Sequence, residues 1–125
     1  MKDKLRILCI DDNQELSAML DLFKKEEIPS QHLVPVNNLE KALDQITKER
    51  PDIVVIDLSL QGSNPLPTIT EIHRRFPEIR IILYSAEDNQ AFVHQSLKAG
   101  VFKHVHKGDG VKILLDTIYS AASAI

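Results

Sequence analysis

Asp52-Ile53-Val54-Val55-Ile56-Asp57 sets four consecutive β-branched residues between two carboxylates. A half-exposed strand would alternate apolar and polar side chains. A strand without that alternation has both faces covered, which is the habit of parallel sheets held between helices. Arg80-Ile81-Ile82-Leu83-Tyr84 reads the same way. Working outward, three more short runs rich in Val, Ile and Leu complete a set of five expected strands, at 5–10, 32–36, 52–56, 80–84 and 102–106.

The segments between the runs carry a helical period instead. Leu16, Met19, Leu20 and Phe23 share one face, and Leu39, Ala42, Leu43 and Ile46 share another. Ile69, Ile72 and Phe76 do so in a third segment. In a fourth, Phe92, Ser96 and Ala99 lie beside a stripe of Val93, Leu97 and Gly100, and in a fifth Leu114, Ile118 and Ala121 line up with Ile113 and Ala122 alongside. The punctuation agrees. Asn13 is placed to cap the first helix and Asn37 or Asn38 the second, while Pro51, Pro77 and Gly100 follow the second, third and fourth. Strand and helix alternate five times, which predicts a doubly wound α/β fold with a five-stranded parallel sheet and helices on both faces. The stretch 61–67, Gln61 to Pro67, reads as the most irregular loop.

At 125 residues and 43% hydrophobic content, the chain is expected to form one domain over 1–125 around one good core. A net charge of −3 with no basic run argues against direct binding to nucleic acid, which needs clustered Lys and Arg to meet the phosphates. Cys9 is the single cysteine and sits in an apolar run, so no internal disulfide forms and Cys9 reads as a small core residue in a reducing compartment. No apolar run reaches membrane-spanning length and the N-terminal one is too short for a signal peptide, so a cytoplasmic location away from the membrane is expected.

In open α/β sheets, ligands bind beyond the carboxyl ends of the strands. At those ends stand Asp11 and Asp12 after the first strand, Asp57 after the third, Ser85 and Ala86 after the fourth, and Lys107 after the fifth. Three carboxylates that would repel one another suit a hard divalent cation such as Mg²⁺, which prefers oxygen ligands. A carboxylate can attack phosphorus to give an aspartyl phosphate. An ammonium and a hydroxyl beside it can hold the oxygens of a transferring phosphoryl group.

The set Asp11-Asp12, Asp57, Ser85 and Lys107, together with the stretch from Ser96 to Lys107, resembles the receiver domain of two-component response regulators over essentially the whole chain. The resemblance implies a flavodoxin-like (βα)5 fold of strand order 2-1-3-4-5. It implies that Asp57 is the phosphoacceptor, Asp12 the principal Mg²⁺-ligating acid, and Asp11 its partner acting mainly through metal-bound water. The backbone carbonyl of Ser59 would complete the metal site. Ser85 would be the switch hydroxyl, Lys107 the cation paired with the phosphoryl group, and Ala86 the small residue that leaves Asp57 accessible. The phosphoryl group would come from a sensor histidine kinase or a phosphotransfer protein, with slow self-catalysed dephosphorylation. The switch would alter the surface of the fourth helix, fifth strand and fifth helix, and so control an output domain or partner, with homodimerisation on phosphorylation as one route.

The sequence also departs from the family pattern. The family places a proline four residues and a glycine eight residues after the phosphoacceptor, where this chain has Gln61 and Pro65. His104 stands where a switch aromatic is usual, and Gly108 replaces the proline that often follows the lysine. Two alternatives stay open on the sequence: a receiver-like binding module that works without phosphorylation, and an aspartyl-phosphate phosphatase. The latter usually has a second acid two residues after the nucleophile, where this chain has Ser59. The closing stretch 119–125 reads as a helix end, compatible with a complete regulator or with a domain followed by an output module.

Overall fold

In the computed structural model of the chain, residues 6–10, 30–34, 39–58 and 64–123 are described. Among the described residues the elements run, in chain order, β1 (Ile7–Ile10), β2 (Ser30–Val34), α1 (Leu39–Glu49), β3 (Ile53–Leu58), α2 (Leu66–Arg75), β4 (Arg80–Ser85), α3 (Gln90–Ala99), β5 (Val101–His106) and α4 (Val111–Ser123), with a 3-10 turn at Lys107–Asp109. The helical segment expected around 16–23, and the caps proposed at Asn13, Asn37 and Asn38, lie outside the described residues.

The sheet has the order β2-β1-β3-β4-β5, and every neighbouring pair is parallel. The inner pairs run in unbroken register, from Ile7↔Ile53 to Ile10↔Ile56 and from Ile53↔Arg80 to Leu58↔Ser85. Both outer pairs carry a register shift.

Alternation along each strand divides the core into two layers. On one side Ile7, Cys9, Val55, Ile82 and Tyr84 pack against Leu114, Ile118 and Ala121 of α4. On the other, Leu8, Ile10, Val54, Ile56, Ile81 and Leu83 pack against Ala42 and Ile46 of α1 and Ile69 and Ile72 of α2, with Phe92 and Ala99 of α3 at the margin. Helices therefore cover both faces, as the unalternating strands require. Each fully buried Ile or Leu contributes about 1.5–3 kcal/mol of transfer free energy to this arrangement. Cys9 is buried, as its run implies.

The structure moves several boundaries. β3 and β4 each extend past the apolar run, so Asp57 and Ser85 lie within their strands. β2 begins at Ser30, two residues before the expected start. The irregular loop ends earlier than its prolines suggest, because Leu66 and Pro67 form the first turn of α2. Proline suits that turn, where an N–H would have no intrahelical acceptor. The Asn64 side chain accepts the Leu66 N–H at 3.1 Å. α3 is capped by Asn89, whose Oδ1 accepts from the N–H groups of Ala91 and Phe92. It ends at Gly100 with φ 128°, where the His73 ring lies so close that a Cβ would come within 2.5 Å of it. Leu97 and Ile113, both on expected apolar stripes, are instead exposed at 45% and 43%.

Candidate functional site

Asp57 stands near the carboxyl end of the central strand β3 and is only 2% exposed. A carboxylate there needs partners, because burying an uncompensated charge is costly. Lys107 supplies one, with its Nζ in direct ion-pair contact with Asp57 Oδ1. The same ammonium lies 5.6 Å from the centre of the Tyr84 ring, on the strand between them. Burial pushes the Tyr84 hydroxyl above its usual pKa, and the negative charge of Asp57 pushes it further in the same direction.

A detail of β5 decides which residues can meet. Ile81 pairs with Val101, but Ile82 pairs with Lys103, so Phe102 is an extra residue in the outer strand. In regular register His104 would pair with Tyr84 and share its side of the sheet. The extra residue reverses the alternation from that point on. Val105 pairs with Tyr84 and joins the α4 layer, while His104 pairs with Leu83 and faces the side of Ser85. Continuing the alternation, Lys107 emerges on the side of Tyr84 and Asp57. One added residue thus delivers the lysine to the carboxylate and the imidazole to the hydroxyl.

Ser85, also 2% exposed, has its Oγ 2.8 Å from His104 Nε2 and accepts the Glu87 N–H at 3.3 Å. Burial holds the His104 imidazole below its ordinary pKa, and the neighbouring His106 adds to this, while Glu87 and Asp109 pull the other way. His106 lies two residues along on the same side of the strand. Its Nδ1 accepts the Gly108 N–H at 2.8 Å, and its Nε2 is 2.7 Å from Asp88 Oδ1. A proline at 108 could not make the first of these contacts, so the departure at Gly108 goes with His106. The pair His106–Asp88 joins the end of β5 to the loop that follows β4.

The structure thus brings Asp57, Ser85 and Lys107 to one edge of three adjacent strands, with Ala86 exposed immediately after Ser85. Asp11, Asp12 and Ser59 lie outside the described residues, so Asp57 is the member of the expected Mg²⁺ ligand set whose surroundings are known. The Asp57 carboxylate offers the oxygen ligand that a hard divalent ion prefers. The Ser85–His104 bond and the His106–Asp88–Gly108 cluster were not legible in the sequence. The nearest signal is the pair of histidines two residues apart just before Lys107.

This edge of a doubly wound sheet, with an acid on the central strand, a hydroxyl on the strand beside it and a lysine just past the edge strand β5, defines a receiver-type site. The family model described as the response regulator receiver domain matches residues 7–119, and the chain belongs to that family. Among curated relatives, the chemotaxis protein CheY of Thermotoga maritima is 32% identical over 98 residues, covering 76% of this chain and 78% of that protein. Sporulation initiation phosphotransferase F of Bacillus subtilis is 28% identical, covering 90% of each chain. The transcriptional activator ExaE of Pseudomonas putida is 27% identical over 90% of this chain, which spans 52% of ExaE's length. Among solved structures, the signal receiver domain of NarL from Mycobacterium tuberculosis superposes with a TM-score of 0.81 at 20% identity, covering 99% of this chain and 100% of that one. The BeF3-activated DrrB receiver domain superposes with a TM-score of 0.78 at 19% identity, covering 96% and 98%. No helix among the described residues is long and apolar enough to cross a membrane.

Proposed function

We propose that this domain accepts a phosphoryl group on Asp57 from the phosphohistidine of a sensor kinase or phosphotransfer protein. The observation that carries this reading is the buried Asp57 carboxylate held in ion-pair contact with Lys107, one register step from the Ser85 hydroxyl on β4. A carboxylate oxygen of Asp57 forms the new bond to phosphorus as the phosphorus–nitrogen bond of the donor breaks and the imidazole leaves with the electron pair. Lys107 then exchanges its carboxylate contact for a phosphoryl oxygen, and Ser85 donates its proton to another. Asp12, Asp11 through water, Asp57 and the carbonyl of Ser59 would hold Mg²⁺. When bound, the ion offsets the negative charge of the acids and of the phosphoryl oxygens.

The resulting population shift would be read at α3, β5 and α4, where Leu97, Phe102 and Ile113 are exposed. Its recipient would be an output domain or a separate partner, and paired copies of this domain are one form the read-out can take. The likeness to a protein named as a phosphotransferase and to a domain solved in a BeF3-activated form supports this chemistry.

Incubation with acetyl phosphate and Mg²⁺ is expected to add one phosphate to the protein by mass spectrometry, and Asp57→Asn to abolish the addition. Equal labelling of the variant would refute the assignment of Asp57.

A further inference from the structure

A hydroxyl has one proton to give and two lone pairs to receive with. The oxygens of a phosphoryl group on Asp57 would only accept, so Ser85 can serve them only if its proton is available. In the structure Ser85 Oγ already accepts from the Glu87 N–H, and its other partner among the described residues is His104 Nε2 at 2.8 Å. If Nε2 carried a hydrogen and donated it, the hydroxyl proton of Ser85, a residue only 2% exposed, would have no acceptor among the described residues. Buried polar hydrogens are seldom left so. The satisfying arrangement is a neutral imidazole whose bare Nε2 accepts the Ser85 proton.

Resting on the reading of Asp57 as the phosphoacceptor, we propose that His104 is a positioning residue that competes with the phosphoryl group for the single proton of Ser85. The neutral imidazole latches the hydroxyl, and the cationic imidazole releases it. In the cation both ring nitrogens are donors, so Nε2 gives a hydrogen to Ser85 Oγ and the serine proton is freed for a phosphoryl oxygen. Protonation thus turns the ring from a competitor into a support.

The surroundings are built for such a change. Glu87 from the loop after β4 and Asp109 from the turn after β5 favour the cation. His106 on the same strand, itself paired with Asp88, opposes it. A phosphoryl group brings more negative charge to the same edge, so phosphorylation and proton uptake at His104 favour one another reciprocally. The occupied state is therefore promoted by mild acidification.

The latch is tested first without any phosphodonor, by following the ring nitrogens of His104 by NMR in the wild-type protein and in Ser85→Ala. We expect an unprotonated Nε2 with the hydrogen on Nδ1 at pH 8, and a rise in the His104 titration midpoint when the serine proton that stabilises the neutral ring is removed. A hydrogen on Nε2 in the wild type, or a midpoint that falls or stays put in the variant, overturns the proposal. The second measurement is beryllofluoride binding with Mg²⁺. His104→Phe should bind about three- to tenfold more tightly than wild type at pH 8, the range expected for one competing hydrogen bond. The gap should narrow by pH 6. Equal binding at both pH values overturns the latch and leaves Asp57 standing. Failure of both proteins to bind refutes the reading of Asp57, and the ring measurement still decides how Ser85 is held.

Discussion

Asp57 and Ser85 stand at or next to the ends of adjacent strands, one register step apart, yet they are held by opposite kinds of contact. The carboxylate is met by an ammonium from beyond β5, a contact between full charges. The hydroxyl is met by a ring that burial keeps toward its neutral form, a contact between dipoles that a single proton can reverse. Charge-assisted hydrogen bonds are roughly twice as strong as neutral ones. The group proposed to react is thus fixed by the stronger contact and the group proposed to switch by the weaker. Movement is easier where the neutral bond lies.

The largest effect should come from the ionic contact. Lys107→Ala is expected to weaken beryllofluoride binding by about 10- to 100-fold, the range for removing a charged hydrogen-bond partner. Isothermal titration calorimetry would measure it, and a loss below about threefold would erase the proposed contrast between the two contacts. Ser85→Ala should be milder, about three- to tenfold by the same assay, because one neutral donor is removed. Gly108→Pro deletes the N–H that His106 accepts and puts ring atoms where a Cβ would already lie 2.9 Å from His106 Nδ1. It should lower stability by about 1–2 kcal/mol in urea denaturation while leaving the Asp57 contact formed.

The smallest effect is a pH limb in stability. An unfolded histidine takes up its proton near pH 6.5, and His104 does so at lower pH in the folded chain. Between those values the unfolded state binds more protons, so this group's contribution is full above about pH 6.5 and is lost as pH falls toward the folded value. His104→Phe should flatten that limb in denaturation curves taken across the window. An unchanged limb would mean that the histidine is not the group responsible.

The same contrast runs through what the sequence reveals. Asp57 could be placed because an unbroken apolar run announces its strand, and a strand's end is where its polar residue stands out. The paired cores were legible for the same reason: Ile53-Val54-Val55-Ile56 cannot leave a face in water. The partner of Ser85 was not legible, because it depends on Phe102 being an extra residue in β5, and nothing in Val-Phe-Lys-His-Val-His marks one. α2 starts inside the stretch 61–67 that reads as an irregular loop, because a first helical turn accepts proline without losing a bond. Asp11, Asp12 and Ser59 remain expectations from the sequence, since they lie outside the described residues.

The extra residue in β5 has a counterpart across the sheet. Between Ile7 and Cys9 of β1, the partners in β2 advance from Ser30 to Leu33, one residue too many. Both strands so interrupted are the ones at the two ends of the sheet, whose outer backbone groups face no neighbouring strand of that sheet. A long regular edge is a template onto which another chain can add a strand, whereas a local kink with added twist spoils the match. The step that delivers His104 and Lys107 to their partners therefore also makes that end of the sheet a poor surface for aggregation.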